Sequence, residues 1–463
     1  MKTKSVLIIS LTPVFSEPRV LRQANLFYQN GMNVIIAGYE GKDKKINHYK
    51  FIDLNPKSNL TIKDIKSSAS ENNISSKLPF PFDNIYKAFK YKKEHKFLKY
   101  LPNFLDPFIF LKFFYDNFFL RPIGRLKYER KRLRTFILIF FSDHKKNYLN
   151  RYWDENRYGK IYDLLKDIRV DFIFTHDYFT TPIAYKLAKK NNSKYFVDVH
   201  EHALSQKNST DFFSNLKIKI FQNSYIKNIE NEFYIKSNGI STVSDGLNSI
   251  LRDQYPKIKN LITVRSTPFY EKHEPKILNS ESRIEMLYHG ILAPGRGLET
   301  YIKIMNFLPE KYYLKIRGSG PSDYINSLNQ LINSFNLSKK IKIVEPVDFN
   351  KIVFEANKSD IGLLIMKNTG MQKTINLSNK FFEYIMSGIM LCVSNYPDMA
   401  KIVNENSLGL LIDDDENDPK KIAELISKIS YEKINFFKIN SIKTAKILSW
   451  ENESKKLLKF INN

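Results

Sequence analysis

Short apolar runs recur along this chain, each followed by a polar stretch and then a segment with helical spacing. Val6-Leu7-Ile8-Ile9 predicts a buried strand, Thr12 to Arg19 a polar loop with two prolines, and Val20 to Asn30 a helix that offers Leu21, Ala24, Leu26 and Phe27 for burial. Gly31 ends that helix, and Val34-Ile35-Ile36-Ala37 predicts a second strand. This is the βαβ opening of a doubly wound sheet. No GxGxxG follows the first strand, so a tightly held dinucleotide is not indicated. Arg19 and Arg22 fall at the strand's carboxyl-end crevice, either holding an anionic group or lying solvated on the surface.

The regular grammar lapses between residues 42 and 160. Residues 42 to 80 are polar and poorly periodic. Residues 81 to 160 hold 19 Lys/Arg against 8 Asp/Glu and 13 of the chain's 35 phenylalanines. The run Phe104 to Leu120 is interrupted by Asp106, Lys112 and Asp116, which argues against a transmembrane helix. Its aromatic residues beside the basic run Arg121 to Arg134 suit either a protein lying on an anionic membrane face or an insertion packed onto its parent domain.

Order returns with a helix over Ile161 to Ile168, the strand Phe172-Ile173-Phe174 leading into Thr175-His176-Asp177, and a helix over Pro182 to Lys189. The strand Tyr195 to Val199 delivers His200-Glu201-His202 to its carboxyl end, the edge at which open parallel sheets gather ligands. His200 at that place can orient a sugar hydroxyl or accept a hydrogen bond near a reacting centre, with Glu201 or Asp198 fixing its tautomer, or can simply be a satisfied surface histidine. The histidines are too tightly spaced for a helical zinc set, so no metal is expected. Gly239 to Ser244, Asp245 to Tyr255 and Ile262 to Val264 supply a further strand, helix and strand, and Thr267-Pro268 with the charged segment Glu271 to Glu281 marks a boundary.

The second half restarts the pattern. Ile284 to Tyr288 is a strand, and His289 to Leu298 is a glycine-bearing loop that opens a helix and presents Arg296, whose planar fork suits a diphosphate. Strands follow at Tyr313 to Ile316, Ile341 to Val344, Ile361 to Ile365 and Met390 to Val393. Helices are predicted at Pro419 to Ile429 and Trp450 to Ile461. The expected fold class is α/β, with two Rossmann-like domains facing a cleft. Residues 1–268 form the first, carrying an insertion at about 42–160. Residues 282–445 form the second, and residues 446–463 a final helix.

Composition changes this picture in three ways. The length of 463 residues and the hydrophobic fraction of 43% call for two folded cores. The one cysteine, Cys392, excludes an intrachain disulfide and fits a reducing compartment; the opening apolar run is too short for a signal peptide. The net charge of +25 draws polyanions, anionic lipid surfaces and phosphorylated small substrates. Without a zinc finger, GxxG clamp or recognition-helix unit, nucleic acid is the weaker partner.

The candidate chemistry concentrates in Leu377 to Gly388. Ser378 and Asn379 stand where an N-cap belongs, Phe382, Ile385 and Met386 can share a buried face, and Gly388 stops the helix. Lys380 and Glu383, three apart, put an amine and a carboxylate beside the free amides of a helix start. An anion would meet the amides, the dipole and Lys380 together, while Glu383 accepts from hydroxyls. The plainer reading is a surface helix with one ion pair.

Taken together, Ser16-Glu17-Pro18-Arg19, Asp198-Val199-His200-Glu201, Gly290 to Leu298, Arg317-Gly318-Ser319-Gly320-Pro321, Ser359 to Leu363, Asn379 to Tyr384 with Ser387-Gly388, and Ser449-Trp450-Glu451 form a pattern. It resembles the retaining, nucleotide-sugar-dependent glycosyltransferases of the large bacterial polysaccharide and lipopolysaccharide group (group 1, family 4-like). The resemblance implies a GT-B arrangement and transfer of a sugar from a UDP-, GDP- or ADP-linked donor to a glycan or lipid-linked acceptor at the cytoplasmic membrane face, with no permanently bound cofactor and no metal. It implies that Arg296 and Lys380 hold the donor diphosphate and Glu383 the ribose hydroxyls. His200 would contact the transferred sugar, Gly290, Gly318 and Gly320 admit close approach, Ser378 opens the helix, and the region of Glu345 meets the base. It implies too that the last helix crosses back to the first domain. Ile291 and Ile375 stand where many relatives carry an arginine and a glutamate, which keeps open an alternative: a catalytically impaired nucleotide-sugar-binding or scaffold protein.

Overall fold

The computed structural model describes residues 3–39, 49–54, 148–149, 152–153, 156–205, 223–366, 375, 377–413 and 418–462. Most of the aromatic and basic segment, including the whole of residues 104–141, lies outside the described residues, as do residues 368–374. The described parts of Met1–Asn55 and Lys160–Asn463 form one compact unit.

Two all-parallel sheets organise it. The first contains β1 (Ser5–Pro13), β2 (Asn33–Tyr39), β3 (Lys50–Asp53), β4 (Phe172–His176), β5 (Lys194–Val199), β6 (Gly239–Thr242) and β7 (Leu261–Thr263). Its spatial order is β3-β2-β1-β4-β5-β6-β7. The second contains β8 (Ile284–His289), β9 (Tyr312–Arg317), β10 (Ile341–Val344), β11 (Ile361–Leu364), β12 (Met390–Ser394) and β13 (Gly409–Ile412), in the order β10-β9-β8-β11-β12-β13. The strand order reverses between β1 and β4 in one sheet and between β8 and β11 in the other. Such switch points open a crevice beyond the carboxyl ends of the strands, where α/β proteins bind ligands. The expected fold class therefore stands: two doubly wound α/β layers forming a cleft.

The helices are α1 (Pro18–Gln29), α2 (Asn156–Leu165), α3 (Thr181–Asn191), α4 (Ser224–Lys236), α5 (Asp245–Gln254), α6 (Leu298–Met305), α7 (Ser322–Ser334), α8 (Ile352–Asn357), α9 (Asn379–Met386), α10 (Pro397–Asn406), α11 (Pro419–Ser427), α12 (Tyr431–Ile447) and α13 (Trp450–Asn462). Local chemistry sets their ends. Proline occupies the first turn of α1, α3, α10 and α11, where a missing N–H costs nothing. The Ser244 hydroxyl caps α5 by accepting from the Leu247 N–H at 3.2 Å. After α9 the chain turns through Gly388 at φ +68°, and a Cβ there would lie 2.2 Å from Ile442 Cδ1.

Side-chain alternation on the second sheet builds a core on each face. Along β12, Met390 and Cys392 join the cluster under α6, α7 and α11, while Leu391 and Val393 join the cluster under α8, α9 and α10. Gly362 in β11 is required by that packing, because a Cβ there would sit 2.5 Å from the Tyr384 ring. On the first sheet, Val6, Ile8, Phe27, Phe174 and Phe196 pack with Trp450, Leu457, Phe460 and Ile461, so α13 completes the core of the opening βαβ unit. The Trp450 N–H donates to Pro268 O at 2.8 Å. Among the described residues no helix is long and apolar enough to cross a membrane.

Several elements depart from the sequence reading. β3 lies in a stretch read as polar and irregular; it is a half-exposed edge strand whose apolar content is too low to mark it. β13, α4, α7 and α12 were also not foreseen, α12 because its apolar residues spread around the helix instead of forming a stripe.

Candidate functional site

The first group of polar residues gathers at the carboxyl ends of β4 and β5. Asp198, near the end of β5, is wholly buried and receives a fork from Arg19 on α1: Nε to Oδ2 at 2.6 Å and Nη2 to Oδ1 at 2.7 Å. The third guanidinium nitrogen donates to Val264 O at 2.8 Å. Gln23, one turn along α1, adds a bond to Oδ2 at 2.8 Å, and Ser241 of β6 adds one to Oδ1 at 2.5 Å. The reading of Arg19 and Arg22 as solvated surface residues is therefore corrected, since both are buried. The anion that Arg19 holds is the protein's own. Burial opposes ionisation of Asp198, but Arg19 and His200 outweigh it and hold the carboxyl well below its ordinary range.

His200 sits on this anchored carboxylate, with Nε2 2.9 Å from Asp198 Oδ2 and 3.0 Å from Nδ1 of His176. Of the two tautomer-fixing partners considered, Asp198 takes the role, while Glu201 is exposed. Burial disfavours a charged ring, yet Asp177 and Asp198 push the His200 pKa up to about 9. Burial, and then the charge of His200, lowers His176 to about 3. The pair thus divides into a buried neutral imidazole and a partly exposed imidazolium. Asp177 accepts from the His200 backbone N–H at 3.0 Å, and its Oδ2 lies 4.0 Å from His200 Nδ1, too far for a direct bond. Asp177 holds φ +59°, uncommon for a residue other than glycine.

His176, Asp198 and His200 also bring three potential ligand atoms within 4.8 Å of one another. They do not fit a cation. The Asp198 oxygens already accept from Arg19, Gln23, Ser241 and His200, which takes up the lone pairs of a carboxylate, and a guanidinium lies alongside.

The second group lies at the switch point of the other sheet, where β8 runs out into His289 and Gly290. Gly290 adopts φ +127°, and a Cβ there would meet Lys380 Nζ at 3.2 Å. The Lys380 amine also lies 5.5 Å above the Tyr288 ring. Burial and then Arg296 lower the Lys380 pKa, with Glu383 opposing. Glu383, one turn into α9, places Oε2 2.8 Å from His289 Nε2. Burial would raise its pKa, but His289, Lys380 and Arg22 bring it below the ordinary value. Arg296 is exposed at the rim.

Gly318 and Gly320 lie against the backbone of the neighbouring loop. A Cβ on Gly318 would fall 1.8 Å from Gly290 O, and one on Gly320 would fall 2.0 Å from Leu292 O. The two loops are joined backbone to backbone, Gly290 N to Arg317 O and Leu292 N to Ser319 O, each at 2.9 Å. Ser378 occupies the N-cap position of α9, yet its hydroxyl makes no capping bond and is buried with no hydrogen-bond partner among the described residues. Glu345 is exposed just beyond β10. Ile291 is 62% exposed at the mouth of the glycine loop, and the carbonyl of Ile375 accepts from Ser244 Oγ at 2.6 Å.

Contacts near these groups join the two sheet layers. The Gly246 N–H at the start of α5 donates to Asp398 Oδ2 at the start of α10, 2.8 Å away. Arg22 on α1 donates to Ser266 Oγ at 2.8 Å and lies 5.7 Å from the Trp450 ring centre. Burial and Arg19 lower its pKa to about 10, while Glu383, on the other layer, supports its charge. The coupling of Arg22 and His289 to Glu383 was missed by the sequence reading; the position of His289 as the last residue of a central strand was the available signal.

No protein-family model matches this chain, and no curated protein sequence matches it. Solved structures do. Sucrose-phosphate synthase from Thermosynechococcus elongatus aligns over 99% of this chain and 98% of its own, with a TM-score of 0.59 and 13% identity. A glycosyltransferase from Rickettsia africae ESF-5 aligns over the same shares at a TM-score of 0.59 and 14% identity. Anabaena Alr3699/HepE, solved in complex with UDP and glucose, aligns over 99% of both chains at a TM-score of 0.60 and 9% identity. Identities this low establish a shared fold, the two-domain GT-B architecture.

Proposed function

We propose that this protein is a glycosyltransferase that moves a sugar from a nucleotide-sugar donor to a hydroxyl of a glycan or lipid-linked glycan precursor, with retention at the anomeric carbon. The observation that carries the reading is the placement of Lys380 and Glu383 on the first turns of α9, against Gly290 at one switch point, in a fold whose other switch point presents the His200 imidazolium. In this reading Lys380, Arg296 and the α9 amides hold the donor diphosphate and stabilise the charge that develops as it departs. Glu383 accepts from the ribose hydroxyls, with His289 keeping it ionised. Ser378 supplies a free hydroxyl at the helix start. Gly290, Gly318 and Gly320 shape the loop against which the nucleotide lies, and Glu345 borders the base. His200 donates from Nδ1 to the transferred sugar. The HepE complex with UDP and glucose supports a uridine donor. The aromatic and basic run of residues 104–141 supports contact with an anionic membrane on the cytoplasmic side, which liposome flotation with and without that run would test.

The test is a panel of UDP-, GDP- and ADP-sugars assayed for transfer and for slow hydrolysis. Lys380→Ala and Glu383→Ala should each lower kcat/KM by about tenfold to a hundredfold, equivalent to about 1.4–2.7 kcal/mol of transition-state stabilisation. A folded protein that turns over no donor removes the enzyme reading. A second reading, a binding protein without turnover, is favoured by Ile291 and Ile375, which leave the diphosphate one cation short and the sugar without a carboxylate. It requires donor binding with no turnover for any acceptor.

A further inference from the structure

A separate concave site lies along β7, the last strand of the first sheet among the described residues. Its volume is about 830 Å³, within the 300–1,000 Å³ range of small-ligand sites. Its walls are α5, the edge strand β7 and α13, and its lining carries five basic side chains but only one acidic one, Asp245. The acidic charge nearby is already committed. Asp245 accepts from Arg265 at 2.8 Å, and buried Glu453 accepts from the Arg265 backbone at 2.9 Å and from Lys456 at 2.7 Å. Arg252, Lys259 and Lys459 are exposed around the cavity and have no carboxylate partner among the described residues.

Neutral hydrogen-bonding groups stand between these cations. Asn248, Ser249, Asn260 and Thr263 line the cavity. The edge strand adds peptide groups: the Ile240 N–H donates to Asn260 O and the Val264 N–H to Thr242 O, so the even-numbered backbone positions of this segment face β6. In a parallel ladder the alternate residues, Leu261 and Thr263, then point their N–H and C=O groups away from the sheet. Cations mixed with amides, hydroxyls and outward-turned peptide groups match a hydroxyl-rich anion. Two rivals fit less well. The apolar members Leu261 and Ile262 are half-buried strand residues and Phe460 is buried, none of them projecting, which does not suit insertion into a bilayer, and Phe460 is too buried to stack on a base.

We infer that this groove is a second ligand site, distinct from the cleft, which binds an anionic oligosaccharide through Arg252, Lys259 and Lys459. If the transferase reading holds, and here the inference rests on it, the groove anchors an acidic acceptor chain remote from the reacting end and raises its local concentration at the cleft.

Calorimetric titration of the full chain with a short oligogalacturonate tests this directly, with a neutral maltooligosaccharide of equal length, inorganic phosphate and phosphatidylglycerol vesicles as comparison arms. The expected result is oligogalacturonate binding that weakens tenfold or more in the Arg252→Ala/Lys259→Ala/Lys459→Ala variant, with no binding of the neutral chain. Unchanged affinity in that variant, equal binding of the neutral chain, or a larger loss for vesicles or inorganic phosphate than for the oligosaccharide would overturn the assignment. So would a parallel tenfold loss of nucleotide-sugar affinity, since the groove would then not be separate from the cleft. All three substitutions are at exposed positions, and binding is read without turnover, so failure here is distinguishable from failure of the transferase reading.

Discussion

Replacing Arg19 with alanine removes the guanidinium from a carboxylate that is wholly buried. Three donated bonds disappear, two to Asp198 and one to Val264 O, and the carboxylate keeps Gln23, Ser241 and His200. Removing one partner of a buried ion pair costs about 3–5 kcal/mol, because the remaining charge is left uncompensated. The His200 imidazolium still offsets part of that charge, so the expected loss lies near the lower end, about 3 kcal/mol. The chain has two tryptophans. In a Trp153→Phe background the fluorescence of Trp450, packed in the first core, reports the relevant urea transition. The companion Asp198→Asn and Arg19→Ala/Asp198→Asn variants close the cycle, and the double, which removes both charges, should recover about 2 kcal/mol of the loss, a coupling expected of groups in direct contact. A loss below about 1 kcal/mol for Arg19→Ala, or strict additivity in the cycle, would refute the view that this pair braces α1 against β5.

Three further outcomes follow from the same network and its neighbours. By NMR, His200 should titrate near pH 9, and Asp198→Asn should move its midpoint down toward the ordinary 6.5. Because the folded value is raised, this group's contribution to stability is full below pH 6.5 and fades as pH climbs to about 9. Glu230, buried and accepting from Tyr255 at 2.6 Å, has its pKa pushed up by burial to about 7. Its ionisation therefore erodes stability as pH rises from about 4.5 to 7, and Glu230→Gln should flatten that part of the pH–stability profile; an unchanged slope would contradict this. Gly318→Ala would drive a methyl into Gly290 O and should cost about 2–4 kcal/mol in thermal or urea unfolding, whereas a neutral effect would mean that the two loops are not joined as described.

The fold was legible because its central strands are continuous apolar runs broken by glycine and proline, a pattern that buried parallel sheets impose on sequence. Edge strands escape that rule. β3 shows one half-exposed face and no apolar run, and nothing in residues 42–80 separates it from loop. The placement of the candidate site's residues was legible where a local pattern carried it, as in Lys380 and Glu383 on one helix start or Gly290 after a strand. It was not legible where partners are distant: Arg19 and Asp198 are 179 positions apart, and an arginine at the start of a helix reads as solvated until its carboxylate is located. Arg22 illustrates the same difficulty, since its meaning lies in Ser266, Trp450 and Glu383, each supplied by a different part of the chain.

The position of α13 in the first core governs the order in which the molecule can be made. Trp450, Leu457, Phe460 and Ile461 close over β1, β4 and β5, and a Cβ on Gly239 would already meet the Phe460 ring at 2.4 Å. The strands they cover leave the ribosome well before these four residues, with the whole second sheet synthesised in between. Contacts across so long a separation form late, after the entropy of the intervening chain has been overcome. While the second sheet is being synthesised, the nascent first layer therefore presents an apolar stripe shaped for a helix that does not yet exist. During that interval it is a client for any chaperone that recognises exposed aliphatic and aromatic surface.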